Sequence, residues 1–176
     1  MLPPARAGGG NQNMAVLQEL SGRISTVPGV QSAGLATTMP FVEQLTATIT
    51  VERMGAQDAQ TESVDYRTIS TNYFQLMGIR LIEGESFTAE DKRGAPNVVI
   101  VNQTMARRFW PNESAVGKRL KGGGANSAGP WRTIKGVVAD SGQSSPSASI
   151  NPEVYLPHLQ DPTCCRRMNL IMRTNI

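Results

Sequence analysis

The segment from Ile69 to Leu120 constrains the fold of this chain more than any other part of the sequence. It contains the residues ISTNYFQLMGIRLIEGESFTAEDKRGAPNVVIVNQTMARRFWPNESAVGKRL, in which short apolar runs alternate with turn residues and helix-capping residues. This order of signals predicts a compact unit with both helices and strands. Its polar residues fit caps and solvated faces and form no recognisable catalytic set, so the segment favours a structural or coupling module over an enzyme.

The rest of the chain adds one more helix and several strands. Apolar residues recur at helical spacing from Met14 to Ile24 and predict an amphipathic helix, which ends at Pro28 and Gly29. The ranges Thr46–Arg53 and Glu62–Ser70 alternate apolar and polar residues and predict two strands of a hairpin. Further strands are expected at Val30–Thr37, Ile79–Ile82, Asn97–Val101, Trp131–Ala139 (with a bulge at Gly136), Glu153–Leu156 and Asn169–Arg173. The order is neither strictly βαβ nor all-β, and it predicts an α+β domain of two lobes.

Two short helices carry recognisable boundary signals. Thr71 is predicted to cap a helix that places Phe74 inward and ends at Gly78 in a left-handed conformation. Asn102 is predicted to cap a second helix over Gln103–Phe109, whose last residue also faces the core. We therefore expect both phenylalanine side chains to be buried.

Composition indicates a globular domain. The apolar share is 39%, and with the 17 glycines it comes close to the globular average of about 45–50%. The net charge of +3 comes from scattered Lys and Arg residues, and aromatic residues make up only 5%. Nucleic-acid-binding domains carry a concentrated basic stripe with interleaved aromatics, so this class is not expected.

The glycine-rich stretches suggest a phosphate loop but do not fit one. A Walker A motif needs a glycine five residues before the Gly-Lys pair and Ser or Thr directly after it. Around Gly117-Lys118 these two positions hold Asn112 and Arg119, so a simple turn explains the pair better. Gly122–Gly124 could form an anion-binding nest, but no helix pattern follows it, and a hairpin tip is the preferred interpretation.

Other reactive residues lack the neighbours that chemistry requires. His158 is the single histidine, and with no nucleophile motif near it a surface position is expected. Glu90, Asp91 and Asp140 lie in a turn and at a strand end, which favours structural roles over paired carboxylate catalysis. The adjacent pair Cys164-Cys165 has no further ligand nearby and does not predict a metal site. We therefore assign no catalytic, cofactor-binding or metal-binding residue.

Five blocks of this sequence together resemble a known family, and their order and spacing are more specific than any one of them. The blocks are VPGVQSAGLATTMPF at 27–41, ISTNYFQLMGIRLIEGESFTAED at 69–91, VVIVNQTMARRFWPNESAVGKRL at 98–120, WRTIKGVVAD at 131–140 and PEVYLP at 152–157. In that order and spacing they are similar to the MacB-like periplasmic core domain, found between the first and second membrane helices of MacB/FtsX-type ABC transporter permeases. Among its members, the blocks are most similar to the duplicated orphan permeases.

The resemblance implies a particular domain organisation. Residues 1–12 would be a disordered segment and residues 13–176 the core domain, which lacks the family's C-terminal helix-strand segment. A porter-like lobe of βαβ-type units would lie near both ends, with a β-rich lobe inserted roughly within 42–155. The domain would lie on the periplasmic side of the inner membrane. The sequence itself has no apolar run near the roughly 18–20 residues of a membrane helix and no signal peptide, which alone would indicate the cytoplasm.

The resemblance also implies a function and partners. The domain would couple cytoplasmic ATP hydrolysis to export or signalling across the membrane, without being an enzyme and without a cofactor. Its partners would be membrane-spanning helices of the same polypeptide, an ABC ATPase and a periplasmic adaptor protein, with no nucleic acid, and the isolated fragment would be monomeric. The alternatives are a periplasmic binding module for a peptide, lipid or partner protein, and an enzyme that uses the glycine-rich loop.

Overall fold

The computed structural model describes residues 16–17, 19–20, 22–24, 26–38, 45–52, 60–141, 150–160 and 168–175. The predictions for residues 1–12 and for the two cysteines lie outside these ranges. Helix α1 comprises the described positions of 16–24, and the other helices are α2 (Tyr73–Met77) and α3 (Gln103–Phe109). The strands are β1 (Val30–Ala36), β2 (Leu45–Val51), β3 (Gln60–Ile69), β4 (Leu81–Gly84), β5 (Val98–Asn102), β6 (Arg119–Gly122), β7 (Arg132–Val138), β8 (Glu153–Pro157) and β9 (Asn169–Thr174).

The described strands form one nine-stranded mixed sheet with the order β2-β6-β7-β5-β8-β3-β1-β9, and β4 pairs with β7. Strand β2 pairs with β3 as well as with β6, so the path from β2 to β3 returns to its start and forms a closed ring. The predicted hairpin between β2 and β3 is confirmed, with Leu45 opposite Tyr66 and Val51 opposite Gln60. The predicted α+β class is confirmed, whereas the proposed domain boundaries stay a prediction.

The ring encloses the larger of two hydrophobic clusters. Alternate residues of each ring strand point inward, as the period of two along a strand requires. Helix α3 adds Met105 and Phe109 to this core. The ring is thus filled by side chains, as is usual for a small barrel. Its buried members are Ile49, Val51, Val64, Val99, Val101, Met105, Phe109, Trp110, Ala115, Leu120, Ile134, Val137 and Val154.

A second cluster lies on the outer face of the same strands. Strand β5 is buried on both faces, since Val99 and Val101 belong to the ring core and Ile100 between them belongs to the second cluster. Helix α2 covers this outer face with Tyr73 and Phe74. The other buried members of the cluster are Ala36, Ile69, Phe87, Val138 and Tyr155.

Two local predictions are confirmed in detail. The side chain of Asn102 accepts a hydrogen bond from the backbone N–H of Met105 at 3.0 Å and thereby caps α3. The β5–β7 register shifts next to Gly136, where a bulge was expected. A Cβ at Gly136 would lie 2.5 Å from the carbonyl oxygen of Glu85, so a side chain there would clash with the backbone leading out of β4.

Two other predictions are wrong in position. Strand β4 begins at Leu81 rather than at Ile79. The residue at the N-cap position of α2 is Asn72 rather than Thr71, and its side chain makes no capping hydrogen bond. The polar residues before α2 instead bind a distant strand. The predicted end of α2 is correct, because Gly78 has φ 68° in the left-handed region.

Strands β1 and β9 form a ribbon at the end of the sheet, outside the ring. They pair from Val30 opposite Thr174 to Ala36 opposite Asn169. In contrast, the described ladder between β1 and the ring strand β3 consists of the single pair Ala36 and Ile69. Backbone hydrogen bonds from the N–H of Thr37 to the carbonyl oxygen of Thr68 at 3.0 Å and from the N–H of Ser70 to that of Leu35 at 2.8 Å flank this pair. In the described residues, backbone pairing between the ribbon and the ring is thus confined to the end of β1.

Replacing Phe74 or Phe109 by alanine is expected to lower the free energy of unfolding by roughly 3–5 kcal/mol, because each buried ring would leave a cavity. Denaturant titration measures this loss. The matched control is Met172→Ala, whose side chain is 49% exposed and whose loss should cost under about 1 kcal/mol. A cost below about 1 kcal/mol at both phenylalanines would contradict their burial.

Candidate functional site

Helix α2 and the turn before it form the junction between the ribbon and the ring. Ser70 and Asn72, in the turn before α2, contact β1 around its residue Gly34, and we call these three residues the α2 clasp. The hydroxyl of Ser70 accepts a hydrogen bond from the backbone N–H of Leu35 at 2.9 Å and donates to Oδ1 of Asn72 at 2.7 Å. The Nδ2 group of Asn72 donates to the carbonyl oxygen of Ala33 at 2.7 Å. Side chains thus continue the hydrogen bonding of β1 where strand pairing stops.

Gly34 allows this close approach. A Cβ at this position would lie 2.8 Å from Oγ of Ser70, 3.0 Å from Cδ2 of Leu76 and 3.1 Å from Oδ1 of Asn72. Contacts that short are rarely tolerated, so a larger residue would force the side chains of Ser70, Asn72 and Leu76 to shift and would disturb the hydrogen bonds of the clasp. The glycine is needed here for space rather than for an unusual backbone angle.

On its other side, α2 is held by a buried ionic centre made of Arg67, Tyr73, Glu153 and Tyr155. Strands β3 and β8 are parallel neighbours, and their pairing places Arg67 directly opposite Tyr155. The guanidinium of Arg67 donates to the hydroxyl of Tyr73 at 2.6 Å and lies 3.4 Å from Oε1 of Glu153. The hydroxyl of Tyr155 donates to Oε2 of Glu153 at 2.7 Å. The first residue of α2 is therefore bound to two ring strands.

Burial governs the protonation equilibria of the ionic centre. Burial raises the pKa of Glu153 above its ordinary value, and this effect exceeds the opposing attraction of Arg67; the charges of Asp65 and Asp140 add to the rise. Burial also raises the pKa of Tyr155 well above its ordinary value, and the neighbouring Glu153 adds to it. For Arg67 burial alone would lower the pKa, but Glu153, Tyr73 and Tyr155 together outweigh burial and raise it. Arg67 is thus always charged, while Glu153 is the titratable partner.

Aromatic contacts connect the ionic centre with the second hydrophobic cluster. The rings of Phe74 and Tyr155 meet edge to face at a centroid distance of 4.9 Å. Phe74 also stacks on Phe87 at 6.3 Å and meets Tyr73 edge to face at 5.8 Å. Such pairs contribute about 0.5–1.5 kcal/mol each beyond the area they bury. They hold α2 in one orientation on the outer face of the ring.

The residues singled out from the sequence do not converge on this junction or on each other. Gly117 occupies a turn with φ 84°, and Lys118 beside it forms an ion pair with Glu113. The amino group of Lys121 on β6 donates to two carbonyl oxygens of the loop that follows, those of Ala125 at 2.7 Å and Ser127 at 2.9 Å. That cation therefore holds the loop backbone together.

The carboxylates also bind nearby backbone and side-chain groups. Asp91 accepts a hydrogen bond from the N–H of Thr88 at 2.7 Å and forms an ion pair with Lys135 at 2.8 Å. Asp140 accepts bonds from both the N–H and the hydroxyl of Thr104, at 2.9 Å each. Among the residues that the structure describes, no group of three or more His, Cys, Asp or Glu side chains could hold a metal ion.

The expectation that His158 lies on the surface is wrong. Its side chain is buried, and Nδ1 lies 3.1 Å from the carbonyl oxygen of Ile69. Burial lowers its pKa, which the hydrogen bond to that carbonyl only partly offsets. The reason lies in the tertiary structure. The backbone N–H of His158 also donates to the carbonyl oxygen of Ile69, which extends the β8–β3 pairing and places the imidazole group in a buried position.

The sequence contained one usable signal for the ionic centre. In a strand, residues two apart share a face. Arg67 shares a face with the buried Ile69, and Glu153 shares a face with the buried Tyr155. Opposite charges on the buried faces of two strands suggest a buried pair, although they do not show that the two strands are neighbours. Nothing comparable marks Ser70 and Asn72, which resemble ordinary turn residues.

The fold and the junction define an α+β domain in which a helix ties a strand ribbon to a closed ring. The sequence profile of the MacB-like periplasmic core domain matches residues 5–174. The chain therefore belongs to the MacB-like periplasmic core domain family. In the described part of the chain, no helix combines the length and the apolar character needed to cross a membrane.

Curated relatives and solved structures agree with this assignment. The macrolide export ATP-binding/permease protein MacB of Mannheimia succiniciproducens is 29% identical over 96 residues, which are 54% of this chain and 14% of that protein. The macrolide export ATP-binding/permease protein MacB 1/2 of Paracoccus denitrificans is 24% identical over 138 residues, which are 78% of this chain and 20% of that protein. The chain thus spans a fifth or less of these relatives.

Two solved structures have the same fold at low sequence identity. The periplasmic region of MacB from Actinobacillus actinomycetemcomitans superposes with a TM-score of 0.55 at 18% identity, covering 80% of this chain and 54% of that one. The extracellular domain of the noncanonic ABC-type transporter YknZ from Gram-positive bacteria gives a TM-score of 0.58 at 16% identity, covering 90% and 73%. These likenesses support the fold.

Replacing Glu153 by glutamine should remove a pH dependence of folding. Burial raises the pKa of Glu153 above the ordinary 4.5, so the folded state favours the protonated carboxyl group. The resulting contribution to the free energy of unfolding is fully present below that ordinary value and is lost as the pH rises through the folded-state pKa. Lowering the pH from neutral should therefore increase the free energy of unfolding of the unaltered protein relative to Glu153→Gln. Denaturant titrations of both proteins at several pH values give this difference. If the free energy of unfolding of the unaltered protein falls relative to that of Glu153→Gln as the pH is lowered, the raised pKa is contradicted.

Proposed function

We propose that this chain is the extracytoplasmic domain of an ABC-type permease, on the periplasmic side of the inner membrane. In this proposal it couples cytoplasmic ATP hydrolysis to export or signalling and catalyses no reaction itself. Family membership supports the location. The observation that carries the mechanism is the α2 junction, because buried hydrogen bonds and an ion pair connect the ribbon to the ring through one short helix.

The ribbon is a suitable place to receive movement. The N–H of Asn175 donates to the carbonyl oxygen of Gly29 at 3.0 Å, so the outer ends of β1 and β9 lie side by side. Membrane-spanning helices of the same polypeptide that connect to these two strands would act on the same end of the ribbon. Nucleotide-driven movement of an associated ABC ATPase would reach the domain there.

The ring is suited to move as one body. Its strands are hydrogen-bonded around a closed path, and its interior is filled by a continuous hydrophobic cluster. A closed and densely packed unit resists gradual deformation, so a displacement applied at one side is passed to the other. The ring would present its outer surface to a periplasmic adaptor protein or to a partner domain.

Pulsed electron paramagnetic resonance on the full-length permease with its ATPase tests this proposal. One spin label is attached at Arg173→Cys on the ribbon and the other at Ala128→Cys, an exposed position in the loop after β6. Cys164 and Cys165 are replaced by serine. The distance between the two labels should change by at least about 2 Å between the nucleotide-free and ATP-bound states. The control pair Thr48→Cys and Arg107→Cys lies within the ring body and should keep its separation. If neither pair responds to ATP, the coupling function is wrong.

A further inference from the structure

We propose that the α2 clasp is the joint through which the ribbon drives the ring, and that Gly34, Ser70 and Asn72 are positioning residues for coupling. The inference rests on the proposed function and deepens it, since it assigns the transmission to three residues. It follows from four features of the junction: the short β1–β3 ladder, the polar replacement of that ladder, the close approach at Gly34 and the attachment of α2 to the ionic centre.

The clasp replaces strand pairing where the ribbon leaves the ring. Ala36 is the last residue of β1, and residues 30–35 before it have no ladder partner in β3. The backbone N–H of Ser70 donates to the carbonyl oxygen of Leu35 at 2.8 Å. The N–H of Leu35 and the carbonyl oxygen of Ala33 are bonded instead by Ser70 and Asn72. Both strand residues are 2% exposed. A displacement of β1 would leave these buried backbone groups without partners, which is costly, so the clasp must move with the strand.

The clasp moves α2 because the two are covalently continuous and tightly packed. Asn72 immediately precedes Tyr73, and the carbonyl of Asn72 accepts a bond from the N–H of Leu76 at 2.9 Å within the first helical turn. The close approach at Gly34 leaves no space between the strand and the side chain of Leu76. A shift of β1 is therefore passed to the helix rather than taken up by a gap.

Helix α2 in turn is fixed to the ring by the ionic centre. Tyr73 accepts the hydrogen bond from Arg67 on β3, and Arg67 pairs with Glu153 on β8. Phe74 packs edge to face on Tyr155, also on β8. The contacts thus run from β1 through the clasp, α2 and Arg67 to two neighbouring ring strands. The hydrogen bonds of the clasp, which are buried at Leu35 and partly buried at Asn72, are either made or broken, and this is the property that a two-state relay requires.

The sharpest variant is Asn72→Asp. It keeps the size of the side chain but replaces the Nδ2 donor by an oxygen, which faces the carbonyl oxygen of Ala33 and repels it. Ser70→Ala removes the acceptor of the Leu35 N–H, and Gly34→Ala inserts a methyl group against Ser70. The double variant Gly34→Ala with Ser70→Ala removes the hydroxyl that the new methyl group meets first and should be less impaired than the sum of the two single effects.

Two controls separate coupling from stability. Ser114→Ala removes a side-chain hydrogen bond to Glu83 that lies away from α2. Val64→Ala creates a cavity in the ring core and destabilises the fold without touching the clasp. Thermal unfolding of every variant permease shows which ones have lost stability, so that the clasp variants can be compared with Val64→Ala at a similar loss.

The readout is the ATP-dependent separation of the labels at Arg173→Cys and Ala128→Cys in the full-length permease. We expect Asn72→Asp and Ser70→Ala to lower the equilibrium constant for the ATP-induced change by roughly 2- to 30-fold, while Ser114→Ala and Val64→Ala leave it unchanged. A full response in both clasp variants, or an equal loss in Val64→Ala, would overturn the inference. Failure of the unaltered permease to respond to ATP would instead reject the proposed function.

Discussion

Closure of the strand ring by β2 is the constraint on which the rest of the structure depends. Strand β2 is bonded to β3 on one side and to β6 on the other, which brings together strands from the first and second halves of the chain. Closure leaves the inner faces with no solvent, so alternate residues must be apolar and fill the ring. It also creates a rigid outer face on which α2, the aromatic cluster and the ionic centre can pack.

The junction between the ribbon and the ring combines the second hydrophobic cluster with buried polar groups. Buried polar contacts contribute little net stability but are costly when broken singly, because each unpaired group has lost its water. The clasp and the ionic centre therefore determine which groups of ribbon, helix and ring are paired more than they strengthen the fold. An apolar interface in the same place could slide, since packing is less directional than hydrogen bonding.

The two asparagines near helix starts show how far local reasoning reaches. Asn102 was predictable as a cap, because its Oδ1 bonds to Met105 only three residues later. The same oxygen also accepts a bond from the N–H of Glu153, 51 residues away, which no local pattern reveals. Asn72 shows the opposite case. The neighbouring Thr71 was expected to cap α2, but Asn72 occupies the N-cap position. The side chain of Asn72 makes no capping bond and donates to the carbonyl oxygen of Ala33 on β1 instead. Competition between a local and a distant partner is settled only by the packed structure.

The sequence by itself determined the elements whose signals are short-range: the alternating strands, the cap of α3, the left-handed Gly78 and the bulge beside Gly136. It also indicated, through the order of its blocks, the family to which the chain belongs. Only the tertiary structure decided the strand order, the closed ring, the burial of His158 and the meeting of Arg67 with Glu153. Periodicity and capping act over a few residues, whereas these features depend on which distant strands become neighbours, and that choice is made by the collective burial of the whole sheet.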